Sequence, residues 1–211
     1  MPRPVLTAQD LEKIADNGEI AIAPDTLITP LARDAAAERG ITIRVEQPKS
    51  ESAASNYAQI VALGADHGGY ALKEQLKKYL RDWGYTPLDL GTDSTEPVDY
   101  PDFAEVVANA VVRGDAWRGV AIDSAGVGSA IAANKVPGAR AAQCYDRASA
   151  KNSREHNDAN ILSLGAKTIT EETAREILAL WLESNFAAGR HQRRIDKIRA
   201  IESRHQIKGT Q

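Results

Sequence analysis

From residue 58 onward, short continuous apolar runs alternate with longer stretches whose apolar residues recur every three or four positions. Ile60–Ala65 (IVALGA) is apolar throughout and of strand length, as expected for a strand covered on both faces. In ALKEQLKKYLRDWG, Leu72, Leu76 and Leu80 share one helical face and Gly84 supplies a stop. TPLDLG then reads as a strand, followed by a loop through Pro97 and Pro101 and the helix FAEVVANAVVRG. The strand GVAI, a short helix over 128–134, the strand ARAAQC, a helix over 147–156, the strand NILSLG and the helix EETAREILALWLES complete the series. Strands separated by helices in this way predict a parallel, three-layer α/β/α sheet with right-handed crossovers. The stretch 189–204 is basic and helical, and its Ile195, Ile198 and Ile201 are expected to grip a neighbouring subunit.

The first 46 residues carry a smaller pattern. Thr7 caps a short helix in TAQDLEKIAD, EIAIA reads as a strand, and Pro24-Asp25 makes a turn. Thr29-Pro30 puts proline at the start of a second helix, LARDAAAERG; Gly40 ends it, and ITIRV is a second strand. The polar, Ser- and Ala-rich segment 47–57 reads as a linker. The division is therefore a small α/β appendage over 1–46, a linker over 47–57 and a main domain over 58–211.

Composition narrows the class. The chain has 211 residues, 43% hydrophobic and 26% charged, an ordinary balance for a globular protein. A formal net charge of -3 gives no reason to expect nucleic acid or an anionic membrane as partner. No apolar run approaches the ~18 residues of a membrane span, and the N-terminus lacks the apolar core of a signal peptide. One cysteine, Cys144, excludes an internal disulfide framework and suits a reducing cytoplasm. No Cys and His cluster has zinc-site spacing.

In parallel α/β sheets, ligands bind beyond the carboxyl ends of the strands. The first strand ends in Asp66-His67-Gly68-Gly69, and a later loop holds Asp99-Tyr100-Pro101-Asp102. The third strand ends in Asp123-Ser124-Ala125-Gly126-Val127-Gly128, the fourth near Cys144-Tyr145-Asp146. Arg154-Glu155-His156-Asn157-Asp158 and Lys167 are expected at the same edge. Singly, each has an ordinary structural explanation as turn, cap or surface residue. The turn around Gly126 and Gly128 offers backbone N–H groups at a helix start, a place for a phosphate or an enediolate oxygen. It is neither a Walker A loop nor a dinucleotide fingerprint.

The segments ALGADHGGYALKEQLKKYL, VDYPDFAE, AGVGSAIAANKVPGARAA, SREHNDANILSLGAK and GRHQRRIDKI together resemble the type B ribose-5-phosphate isomerases and the related galactose-6-phosphate isomerase subunits. The resemblance spans 59 to about 200. It implies a Rossmann-like or flavodoxin-like fold, a homodimer or dimer of dimers with sites at the subunit boundary, and no metal or organic cofactor. Asp66 and His67 match a pair whose histidine helps hold the phosphate. Asp99 and Tyr100 match residues lining the sugar pocket. His156 matches the histidine that opens the furanose ring, and Asn157 a substrate-binding residue. Lys167 stands where the family often has a phosphate-binding arginine, keeping the charge but losing bidentate geometry. Arg190 and Arg194 match two phosphate-binding arginines that reach a site from the partner subunit.

The departure lies in the loop. Where the family usually has Cys-Gly-Thr-Gly, this chain has Asp123-Ser124-Ala125-Gly126, so the usual base is a carboxylate here. The glutamate that serves one branch of the family is absent too, since Ser129 matches it. Aldose–ketose isomerisation needs a base to move a proton between C1 and C2. Burial at the end of an apolar strand is expected to raise the pKa of Asp123 toward that task, with Ser124 supplying the hydroxyl that Ala125 lacks. The other reading of Asp123 is a cap for the following turn.

The expected activity is isomerisation of ribose 5-phosphate and ribulose 5-phosphate through a cis-enediolate. The alternatives are another pentose or hexose phosphate, or a sugar-phosphate-binding scaffold without turnover. The appendage, with its TPLARDxAxxxGI pattern, resembles short segments attached to enzymes of bacterial microcompartments. That implies shell or cargo proteins as partners and a place inside a microcompartment.

Overall fold

The computed structural model describes residues 5–22, 26–45 and 59–206, which fall into two compact units divided after Ala53. The expected turn at Pro24-Asp25 and the linker over 47–57 lie outside the described residues.

The N-terminal unit comprises β1 (Val5–Leu6), α1 (Ala8–Leu11), β2 (Glu19–Ile22), β3 (Leu27–Ile28), α2 (Pro30–Glu38) and β4 (Thr42–Val45). β1 pairs with β3 and β2 with β4, both parallel. The first helix is shorter than its sequence pattern predicts, stopping four residues after the cap. Turns replace it: the N–H of Gly18 bonds the carbonyl of Ala15, and Asn17 takes a left-handed φ of 60°. Thr29 Oγ1 caps α2 by accepting the N–H of Ala32, with Pro30 as first helical residue. Leu6, Leu11, Ile22, Ala32, Ala36 and Ile41 form a core of the unit's own.

The second unit is a five-stranded parallel sheet in the order β6-β5-β7-β9-β8. Its elements are β5 (Ile60–Ala65), α3 (Tyr70–Asp82), β6 (Thr86–Asp89), α4 (Tyr100–Arg113), β7 (Arg118–Asp123), α5 (Val127–Ala133), β8 (Ala141–Gln143), α6 (Arg147–Glu155), β9 (Ile161–Gly165), α7 (Glu171–Glu183), a 3-10 turn (Gly189–His191) and α8 (Gln192–His205). Helices cover both faces, the three-layer arrangement of a Rossmann-like fold, and the period-2 alternation of the strands sorts side chains by size. Val61, Leu63, Ala65, Val120, Ile122, Leu162 and Leu164 pack with Leu72, Leu76 and Leu80 of α3 and with Ile177, Leu178 and Trp181 of α7. The other face holds Ala62 and Ala121 against Ala104, Val107 and Ala108 of α4. Gly64 and Gly119 notch that face, and a Cβ on either would sit 2.6 Å from Val107. Small residues thus let α4 ride close to the sheet, and that height sets where its N-terminal Asp99 and Tyr100 stand.

Ile195 corrects the expectation for the last helix. It is buried within its own chain at 1% exposure, whereas Ile198 and Ile201 are about half exposed. Among the described residues no helix is long and apolar enough to cross a membrane.

Arg118 opens β7 and is buried between the rings of Trp117 and Trp181, 4.0 and 5.0 Å from their centroids. Its guanidinium donates to the carbonyls of Trp181, Leu182 (2.8 Å) and Ser184 (3.0 Å), which end α7. Burial, with help from the charge of Arg154, pushes its pKa down to about 9. A pKa of about 9 still leaves the guanidinium charged at neutral pH, and its N–H groups serve the carbonyls that end α7. Arg118→Met should therefore cost about 2–4 kcal/mol in urea unfolding, and Arg118→Lys less, since one or two donors survive. Removal of residues 1–56 should leave a core that still unfolds cooperatively in urea, because each unit has its own apolar cluster.

Candidate active site

At the carboxyl ends of β5 and β7 the sheet presents a floor of backbone and carboxylate. Asp66 is buried and accepts the N–H of Gly69 at 3.0 Å through Oδ1. His67 is exposed; its Nδ1 lies 3.2 Å from both the N–H and the carbonyl of Val98, tying β5 to the loop that precedes α4. Asp99 is the N-cap residue of α4 but makes no side-chain cap bond, so its carboxylate is not spent on the helix. Tyr100 lies over Gly128 so closely that a Cβ on Gly128 would collide with its ring. Ser124 Oγ leaves no room for a side chain on Gly68. Lys167 is exposed, and its N–H bonds the carbonyl of Ser124 at 2.9 Å. Asp66, His67, Asp99, Tyr100, Asp123, Ser124, Gly126, Gly128 and Lys167 are therefore brought to one edge.

Asp123 is the keystone of the loop. Oδ1 accepts the N–H of Ala125 at 2.7 Å and that of Gly126; Oδ2 accepts the N–H of Ser129 at 2.8 Å. Burial pushes its pKa up, but the bonds from Ser129, Gly126 and Ala125 outweigh it and leave the carboxyl below its ordinary value. The expected rise by burial is thus reversed: an anion at 5% exposure is held ionised by fixed donors. The same bonds correct the picture of an open anion nest, since three of its N–H groups already face a carboxylate. The N–H groups of Val127 and Gly128, in the first turn of α5, have no intrahelical acceptor. Two residues that sequence reasoning passed over fix the carbonyls of this loop. Gln143 Nε2 donates to Ala125 O at 2.7 Å, and buried Ser163 Oγ donates to Gly126 O at 2.6 Å. The two pair with each other in register, each within an otherwise apolar strand, so no local signal marked them.

The remaining residues stand elsewhere. A helix that follows a parallel strand must run back, and the nine residues of α6 carry the chain about 13 Å toward the other edge. Asn160 N bonds Arg140 O at 3.1 Å and Arg140 Nε bonds Asp158 O at 3.0 Å, which fixes the end of that helix beside the start of β8. His156 and Asn157 thus lie at the amino edge of the sheet, not at the carboxyl edge expected for them. His156 is the C-cap residue of α6 with Nδ1 2.8 Å from Asn152 Nδ2, so that nitrogen accepts and the proton sits on Nε2. Asn157 reaches back to Asn152. The rings of His156 and His191 stack with centroids 4.1 Å apart. Arg190 and Arg194 are exposed on the same side; Arg190 belongs to the 3-10 turn and Arg194 to α8, so they do not share one regular helix.

One edge thus offers carboxylates, a tyrosine and the N–H groups that open α5; the other offers an imidazole and two guanidiniums. A Rossmann-like sheet with this equipment defines a binder and transformer of small polyhydroxylated anions. The chain belongs to the Ribose/Galactose Isomerase family, whose model matches residues 61–198. It is 43% identical over 144 residues to ribose-5-phosphate isomerase B of Escherichia coli, covering 68% of this chain and 97% of that protein. It is 40% identical over 149 residues to the D-erythrulose-4-phosphate isomerase of Pectobacterium atrosepticum, covering 70% of this chain and 97% of that one. The solved ribose-5-phosphate isomerase B of Clostridium thermocellum superposes with a TM-score of 0.69 at 47% identity, over 70% of this chain and 99% of that one. The chain is accordingly a sugar-phosphate isomerase of this family.

Asp123→Asn would set an amide Nδ2 against the N–H of Ser129 or of Ala125 and Gly126, donor to donor. It should cost about 2–4 kcal/mol at pH 7. A depressed folded pKa gives stability that is present above the unfolded value, about 3.9, and is lost as pH falls through the folded one. The gap between wild type and variant in urea unfolding should therefore close below about pH 4.

Proposed function

We propose that this protein interconverts ribose 5-phosphate and ribulose 5-phosphate through a cis-enediolate. The observation that carries the reading is the loop of Asp123, fixed at the carboxyl edge beside Asp66, Ser124 and Tyr100. Asp123 takes the C2 proton and returns it to C1, using the lone pair that its three N–H bonds leave free. The N–H groups of Val127 and Gly128 meet the developing oxyanion. A carboxylate held below its ordinary pKa is a weaker base than one raised by burial, so turnover is slow.

His156 opens the ring, and His67, Lys167, Arg190 and Arg194 take the phosphate. A five-carbon substrate cannot bridge the two edges of one sheet. A complete site therefore combines the Asp123 edge of one chain with the His156 edge of a second copy, and the protein works as a homodimer or a dimer of dimers. The N-terminal unit, with its own core, serves as an assembly or encapsulation module that places the enzyme in a microcompartment.

A coupled assay with ribose 5-phosphate and with erythrose 4-phosphate tests this reading. The tetrose cannot close a furanose ring, because its 4-oxygen carries the phosphate. His156→Ala should lower turnover of the pentose and spare that of the tetrose. Asp123→Asn should lower both by roughly 10²–10⁴-fold, and Asp123→Cys with Ala125→Thr should raise turnover above wild type. Absence of turnover with every pentose, tetrose and hexose phosphate would overturn the assignment and leave a binding protein.

A further inference from the structure

We propose that His191 is a positioning residue: its buried ring fixes the plane of His156 and links that histidine to Arg190. This rests on the reading of His156 as ring opener and of Arg190 as phosphate ligand. The two imidazoles stack with planes 9° apart and centroids at 4.1 Å. His191 is 5% exposed, while His156 is only half-buried, so the buried ring is the fixed member and the other rests on it. The backbone holds them together: the N–H of Ala187 bonds the carbonyl of Glu155 at 3.0 Å, directly before His156. Ile195, buried one turn further on, pins the start of α8. Rotation of the His156 ring would break both the stack and its bond to Asn152.

Stacking alone does not call for a histidine. Nδ1 of His191 is buried and, among the described residues, has no hydrogen-bond partner. A phenylalanine would stack as well and avoid that orphaned atom. What the imidazole adds is Nε2, which accepts Nε–H of Arg190 at 3.4 Å and so places the proton on Nδ1. The groups that act on the ring are His156, Arg190, Arg194 and Glu155; burial and the first three push its pKa down, and Glu155 pushes it up. A ring held below its ordinary pKa favours its neutral form, which keeps a second cation from facing the imidazole of His156 at van der Waals distance. The turn thus couples the arm that grips phosphate to the acid that opens the ring.

The test uses the full chain, with its four histidines labelled with nitrogen-15. In the substrate-free protein, His156 should show a single tautomer with the proton on Nε2. His191→Ala should mix its tautomers and lower kcat on ribose 5-phosphate about tenfold, while kcat on erythrose 4-phosphate stays within about twofold. His191→Phe should restore the His156 spectrum and most of kcat on the pentose, yet leave KM raised about threefold or more, since Arg190 has lost its acceptor. An unaltered His156 spectrum in His191→Ala overturns the proposal. So does an altered one in His191→Phe, or an equal loss on both sugars. If neither sugar phosphate is turned over by the wild type, the isomerase reading fails, and the spectra alone decide whether His191 positions His156.

Discussion

Three N–H groups converge on the carboxylate of Asp123, and the carboxyl edge of the sheet is built around that convergence. The bonds reach Ala125, Gly126 and Ser129, so one side chain fixes the turn and the entry into α5. Gln143, from β8, holds the carbonyl side of the Ala125–Gly126 peptide, and Ser163, from β9, holds the carbonyl of the next peptide. The loop is therefore bonded on both of its polar faces, and three strands contribute to holding it. Gly126, with φ of 80°, makes the bend and lies against Leu164 and Gly165, where a side chain has no room. Aspartate at this position thus ties up backbone donors that would otherwise face the carboxyl edge.

Packing delivers the other parts of that edge. The notch of Gly64 and Gly119 lets α4 approach the sheet, which brings Tyr100 down onto Gly128. His67 reaches the same loop through Val98. At the amino edge a second assembly forms around the stacked pair His156 and His191, held by Asn152, Arg190 and the bond from Ala187 to Glu155. Each assembly is ordered by its own contacts: carboxylates, a tyrosine and a lysine at one edge, an imidazole pair and two guanidiniums at the other. The sheet itself separates them.

Much of this was legible along the chain. The strands and helices follow from period-2 and period-3.6 patterns, because burying both faces of a parallel sheet requires apolar strands and one-sided helices. The motifs around Asp66, Asp99, Asp123, His156 and Arg190 are contiguous and therefore readable. What the order of residues alone did not carry is direction and charge state. His156 follows a strand by about a dozen residues, and only the return of α6 shows that it ends at the opposite edge. Burial of Asp123 is evident from GVAID, and burial alone raises a carboxyl pKa; the sign reverses because Ser129, six residues on, together with Gly126 and Ala125 turns its N–H toward the carboxylate. Ile195 looked like its neighbours Ile198 and Ile201, yet it alone is buried. Sequence determined the elements and the inventory of reactive groups, since both depend on local pattern. Tertiary structure decided which groups meet and how each is charged, since those depend on donors and faces supplied by distant parts of the chain.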